Sequence, residues 1–155
     1  MKKKTPNIER RTSNAERPPV ALLLHELSSV QYGVKRARKY DLGDRLLEFA
    51  VQVIDFTEAL RNTRSANHIA GQLLRSGTSP YGNHGEVESA ESRKDFVHKL
   101  KICLKELRET RRWLRLVGRL KTQRCPPNLV ECLNEADELI RIFVASIRTA
   151  ERNEK

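Results

Sequence analysis

Few side chains in this 155-residue chain are spaced for covalent or metal chemistry. Asp95 and His98 form its one acid-x-x-His pair, whereas a dimetal site in a helix bundle needs two such pairs and two further glutamates. His84, Glu88 and Glu91 fall at i, i+4 and i+7, on one helical face, and could hold a metal only weakly. Hydrogen bonding at a surface or an interface is the better reading of that set. Ser76-Gly77-Thr78-Ser79 lacks both the lysine and the spacing of a phosphate-cradling loop. Three cysteines, without C-x-x-C spacing, make neither a disulfide framework nor a zinc site. Cys103 and Cys132 fall on apolar seams and read as small core residues, while Cys125, ahead of two prolines, reads as exposed. No catalytic residue, metal or cofactor is expected, and the chain is expected not to be an enzyme.

The chemistry the sequence does offer is contact with phosphates. Thirty Lys and Arg stand against twenty Asp and Glu, a net charge of +10 that attracts polyanions before any specific contact forms. The excess is local. Residues 1–40 hold ten basic and three acidic side chains and residues 93–124 hold twelve and three, whereas residues 41–92 hold four and eight and residues 125–155 four and six. Within the second basic zone, Lys101, Lys105, Arg108, Arg112, Arg115 and Arg119 repeat at steps of four and three, forming one ridge roughly 140° from the apolar seam of a helix. Glu109 is the one acid placed to neutralise that ridge along the helix, through Lys105 and Arg112. The ridge is either a solvated face or a phosphate-binding one, and the shortage of acids favours the second. Few aromatic rings, four Phe, three Tyr and one Trp, argue against base stacking as the mode of recognition.

Four helical segments must position these residues. Leu42, Leu46, Phe49, Val53, Phe56 and Leu60 form the first stripe, with Asp41 as its cap. The second helix starts at Thr63 or Ser65 and carries Ile69, Leu73, Gly77, His84 and Val87 or Glu88. Its spacing runs through Pro80, so one long helix kinked near Pro80 is preferred over two shorter ones. Phe96, Leu100, Cys103, Leu107, Thr110, Leu114 and Val117 make a heptad seam capped by Ser92, with Asp95 in capping-box position. Asn128 opens a fourth helix whose buried face is Leu129, Cys132, Ala136, Leu139, Phe143 and Ile147. With no period-two alternation, the expected fold is an all-α, antiparallel up-down-up-down four-helix bundle over residues 40–150. A basic, mostly disordered leader over 1–39 precedes it, with a short helix possible near Val20–Val34, and residues 151–155 form a short tail. The leader is either a plain extension or an arm that orders on RNA or protein. The apolar run Val20-Ala21-Leu22-Leu23-Leu24 is too short for a signal-peptide core, and a cytoplasmic protein without membrane contact is expected.

Between Arg75 and Glu91 two readings stand. In one, Gly77, Ser79 and Gly82 allow close helix packing while Asn83 and Glu86 satisfy groups freed at Pro80. In the other, Arg75, Gly77, Ser79, Asn83, Glu86 and Glu91 form a subunit interface, with Arg75 meeting Glu86, Glu88 or Glu91 of the next chain.

Several strings resemble a known family. Tyr40-Asp41-Leu42, Leu46-Leu47-Glu48-Phe49-Ala50, His68 through Pro80 with its Arg-Ser-Gly-Thr-Ser core, and Glu91-Ser92-Arg93-Lys94-Asp95-Phe96 are similar to the four-helix-bundle proteins encoded in intervening sequences of bacterial large-subunit ribosomal RNA genes. So are Asn83, Gly85-Glu86 and Lys105 through Arg111 with Trp113-Leu114, for a coverage of about residues 40–150. The resemblance implies a left-handed bundle that assembles as a homopentamer. It also implies distant kinship to the accessory protein of diversity-generating retroelements, which binds reverse transcriptase and nucleic acid through a basic surface. The expected function is therefore a non-enzymatic oligomeric bundle binding RNA or a nucleoprotein through the third helix. The alternative is a protein-only scaffold docking an acidic partner such as a reverse transcriptase.

Overall fold

The computed structural model describes residues 41–121 and 126–152. The expectations for the 1–39 leader and for Cys125 lie outside the described residues. Four helices account for the fold: α1 Leu42–Glu58, α2 Arg64–Glu88, α3 Arg93–Val117 and α4 Leu129–Arg152, with no strand among the described residues. Among the described residues no helix is long and apolar enough to cross a membrane. Helix α4 runs on to Arg152, so Glu151 and Arg152 are helical rather than part of a tail.

Helices α1, α2 and α3 each begin where a short polar side chain answers a free backbone N–H. Asp41 accepts from Gly43 N at 2.9 Å, Thr63 from Ala66 N at 3.2 Å and Ser92 from Asp95 N at 3.1 Å. The capping box at α3 is displaced by one residue, because Asp95 reaches back to the N–H of Glu91, at 3.3 Å, and not to that of Ser92. Its carboxylate also holds Lys99 at 2.9 Å, and this hydrogen bond keeps the Asp95 carboxyl below its usual range and raises Lys99.

The apolar stripes meet in one core. Phe49, Val53, Phe56, Leu73, Cys103, Leu107, Leu114, Cys132, Ala136, Leu139 and Phe143 are fully buried. Leu42, Leu60, Phe96 and Val97 pack at the margins. Each buried Leu or Phe contributes roughly 1.5–3 kcal/mol relative to exposure.

Helix α2 passes through Pro80 without a break, which excludes the two-helix alternative. Pro80 has no N–H for the Ser76 carbonyl. The hydroxyls of Ser76 and Thr78 fold back on Gln72 O and Leu74 O at 2.8 and 2.7 Å, so these polar residues satisfy themselves within the helix. Gly77 lies against Val53, where a Cβ would come within 2.6 Å of Val53 Cγ1, so only glycine lets α1 and α2 approach this closely.

Paired contacts give the directions. Gly43 faces His84 while Val53 meets Gly77. His68, Ser76 and Pro80 of α2 meet Trp113, Thr110 and Cys103 of α3 in turn. Lys101 and Arg111 of α3 meet Glu151 and Asp137 of α4, and Arg45 and Gln52 of α1 meet Glu135 and Cys132. In every pair residue number rises on one helix as it falls on the other, so neighbouring helices run antiparallel.

Candidate nucleic-acid interface

The heptad seam that buries one side of α3 necessarily turns the opposite side to solvent. All six ridge residues, Lys101, Lys105, Arg108, Arg112, Arg115 and Arg119, are exposed, but the expected helical row stops at Arg115, because α3 ends at Val117 with Gly118 as its cap and Arg119 lies in the turn beyond. From Lys101 to Arg115 they run about 21 Å along one helix, at a rise of ~1.5 Å per residue. Their charges are answered unevenly. Lys101 Nζ lies 2.7 Å from Glu151, and Lys105 is a loose 3.9 Å from Glu106. Arg108, Arg112, Arg115 and Arg119 have no acidic partner among the described residues.

The expected neutralisation by Glu109 is only partial: Lys105 acts on it through its field without a direct ion pair, Arg112 forms no ion pair with it, and its direct partners lie elsewhere. Arg75 crosses from α2 to ion-pair with Glu109 and, at 3.3 Å, with Glu106, while Trp113 Nε1 sits 3.4 Å from Glu109. Burial pushes the Glu109 carboxyl up, but the hydrogen bonds from Arg75 and Trp113 outweigh it and hold the group below its usual range. Arg75, expected to meet acids of a neighbouring chain, is thus engaged within its own. Its side chain is 55% exposed and the Glu106 side chain 8%, so the guanidinium satisfies a nearly buried carboxylate from the solvent side.

Apolar surface lies under the cations. Leu104, Trp113, Leu116 and Ile147 line a groove of about 810 Å³ with Lys101, Lys105, Arg108, Glu109 and Arg112 around it. A second groove of about 740 Å³ shares Trp113 and Leu116 and continues onto α2 through Arg64, His68 and Ile69. The His68 ring meets the Trp113 ring edge-on, centroids 6.1 Å apart, fixing the indole between the two grooves.

The family model for the 23S rRNA-intervening sequence proteins matches residues 38–145. The chain belongs to this family. Every ridge residue of this intervening-sequence protein lies inside the matched stretch, whereas Glu151, the partner of Lys101, lies beyond it. A crystal structure from Bacteroides thetaiotaomicron, of a protein of unknown function from the S23 ribosomal protein family, is similar at 36% identity and a TM-score of 0.63. The similarity covers 69% of this chain and 98% of that one. No curated protein matches.

The other sequence-derived positions disperse. Gly77 is buried inside the chain against Val53. Asn83 donates to Ser79 Oγ of its own helix at 2.9 Å, and Glu86 and Glu91 are exposed without an ion pair among the described residues. His84, Glu88 and Glu91 do not share a face. His84 is buried with its ring 6.4 Å from that of Phe143, Glu88 is the last residue of α2, and Glu91 lies beyond the helix end. Among the described residues no three His, Cys, Asp or Glu side chains converge on a metal-sized site. Burial pushes the Cys103 and Cys132 thiols up to about 11, which keeps both protonated and unreactive near neutrality.

Besides the Arg75 and Lys101 ion pairs, sequence reasoning missed the interhelical ties of Arg45 with Glu135, Arg111 with Asp137 and the buried Ser76–Thr110 contact. Spacing along one helix carries no signal of what stands across from it.

Proposed function

We propose that this family member is a non-enzymatic, homo-oligomeric bundle that binds structured RNA, or a nucleoprotein, through the exposed face of α3. The observation that carries this reading is the row of Arg108, Arg112 and Arg115 on α3, continued just past the helix end by Arg119, without acidic partners among the described residues and beside a Glu109 that is committed elsewhere. A lone surface cation is ordinary, but an unneutralised row on a rigid helix gathers a field that a phosphate backbone relieves. Arginine also suits the task, since its planar fork takes two phosphate oxygens at once. Binding by this face reads charge and shape rather than base sequence.

The test is salt-dependent RNA binding by the full chain, with a hairpin and an unrelated duplex as probes. Replacing Arg108, Arg112, Arg115 and Arg119 with Gln is expected to weaken both probes alike and to flatten the plot of log affinity against log salt by roughly 3. An unchanged slope would remove α3 from the interface. The apolar floor at Trp113 and Leu116 favours a second reading, an acidic protein partner. Recovery of the native chain free of RNA but bound to one acidic protein would support it.

A further inference from the structure

The outward side of α1 is unlike that of α3. Leu47, Val51 and Ile54 are 39%, 43% and 40% exposed, and their spacing of four and three places them in one line. Asp44, Glu48, Asp55 and Glu58 lie exposed beside that line, and none is in an ion pair among the described residues. An apolar stripe bordered by acids is the complement of the α3 surface, where Trp113 and the 42%-exposed Leu116 are bordered by Lys105, Arg112 and Arg64.

We propose that α1 of one copy docks into the α3 groove of a second copy. The stripe would lie over Trp113 and Leu116, with its acids against the groove's cations. Sign decides the geometry. Pairing α1 with α1 sets four acids against four acids, and pairing α3 with α3 sets arginine against arginine, each opposed by like-charge repulsion. Only the crossed pairing matches apolar to apolar and acid to base. The contact is therefore heterologous, one patch meeting a different patch, and it propagates around a closed ring or along a filament.

The assembly leaves room for RNA. At about 100° per residue, Glu109, Trp113 and Leu116 lie on the α2 side of the Lys105–Arg112 line, and Lys101, Arg108 and Arg115 on the α4 side. The contacts agree, since Trp113 meets His68 of α2 and Lys101 meets Glu151 of α4. Docking over Trp113 and Leu116 consumes the first side; on the second, Lys101 and Arg108 border the same groove while Arg115 lies clear of it and stays open.

Light scattering on the eluting full chain tests this with Val51→Lys on the stripe and Leu116→Glu in the groove, both at exposed positions, with circular dichroism confirming the helices. Wild type is expected to be an oligomer, and each variant to be monomeric, with association weakened at least roughly tenfold. Mixed together, the variants should form a one-to-one dimer, because the first keeps an intact groove and the second an intact stripe. A wild-type monomer at all concentrations, a Leu116→Glu variant that still assembles, or a mixture that stays monomeric would each overturn the proposal. Monomeric Val51→Lys should still retain RNA through Arg108, Arg115 and Arg119. Loss of RNA binding with assembly intact would count against the RNA reading alone.

Discussion

The two sides of α3 are one helix under two regimes. On the inner side Leu107 and Leu114 are fully buried, and the polar groups among them are answered: Thr110 Oγ1 lies 3.0 Å from Ser76 Oγ and 2.9 Å from Glu106 O. On the outer side Arg108, Arg112 and Arg115, with Arg119 just past the helix end, go without acids among the described residues over a similar length. Burial makes an unpaired polar group cost about 1–3 kcal/mol, so partners are enforced there. Water imposes no such rule, and charge can be held in reserve for a ligand.

The strongest way to break this contrast is to shorten a side chain on the inner side. Leu107→Ala is expected to cost roughly 2–5 kcal/mol in urea unfolding, since it opens a cavity in a core that four helices share. A loss below about 1 kcal/mol would mean the inner side is loosely packed. Gly77→Ala comes next. Alanine favours helix by roughly 1 kcal/mol, but its Cβ would strike the branched Val53 side chain, so a net loss of about 1–2 kcal/mol is expected. Adding Val53→Ala should recover part of that loss, and strict additivity in this double-mutant cycle would rule out the contact. The smallest effect belongs to the outer side. Each of Arg108, Arg112, Arg115 and Arg119 changed to Gln should move stability by no more than about 0.5 kcal/mol while RNA affinity falls. A larger loss would show that these arms support the fold.

What could be read from the sequence was what lies within a turn or two of itself. The seams of α1, α3 and α4 and the caps Asp41, Thr63 and Ser92 were legible because stripe and cap are local signals. The helicity of Arg75 through Val87 was legible only by trusting spacing over the glycine, serine and proline content of the run. The end of α2 was not. Polar residues continue past Glu88, and periodicity cannot mark where Ser89 begins to bond back to the carbonyls of Gly85 and Glu86. Of the candidate interface, the ridge was legible as a row but not its charge balance. Arg75 meets Glu106 and Glu109 across 31 and 34 residues of chain. That tie takes Glu109 from the ridge and Arg75 from the expected subunit contact at once.

The buried hydroxyl pair between α2 and α3 has a consequence for how such sequences diverge. Ser76 Oγ also bonds Gln72 O, and Thr110 Oγ1 also bonds Glu106 O, so each hydroxyl has a carbonyl of its own helix in reserve. Replacing Thr110 with Val leaves Ser76 its donor bond, and replacing Ser76 with Ala leaves Thr110 the same. The tie can thus be dismantled one substitution at a time, with no orphaned donor at the intermediate step. Lineages can exchange this polar contact for an apolar one along a shallow slope, without a simultaneous double change.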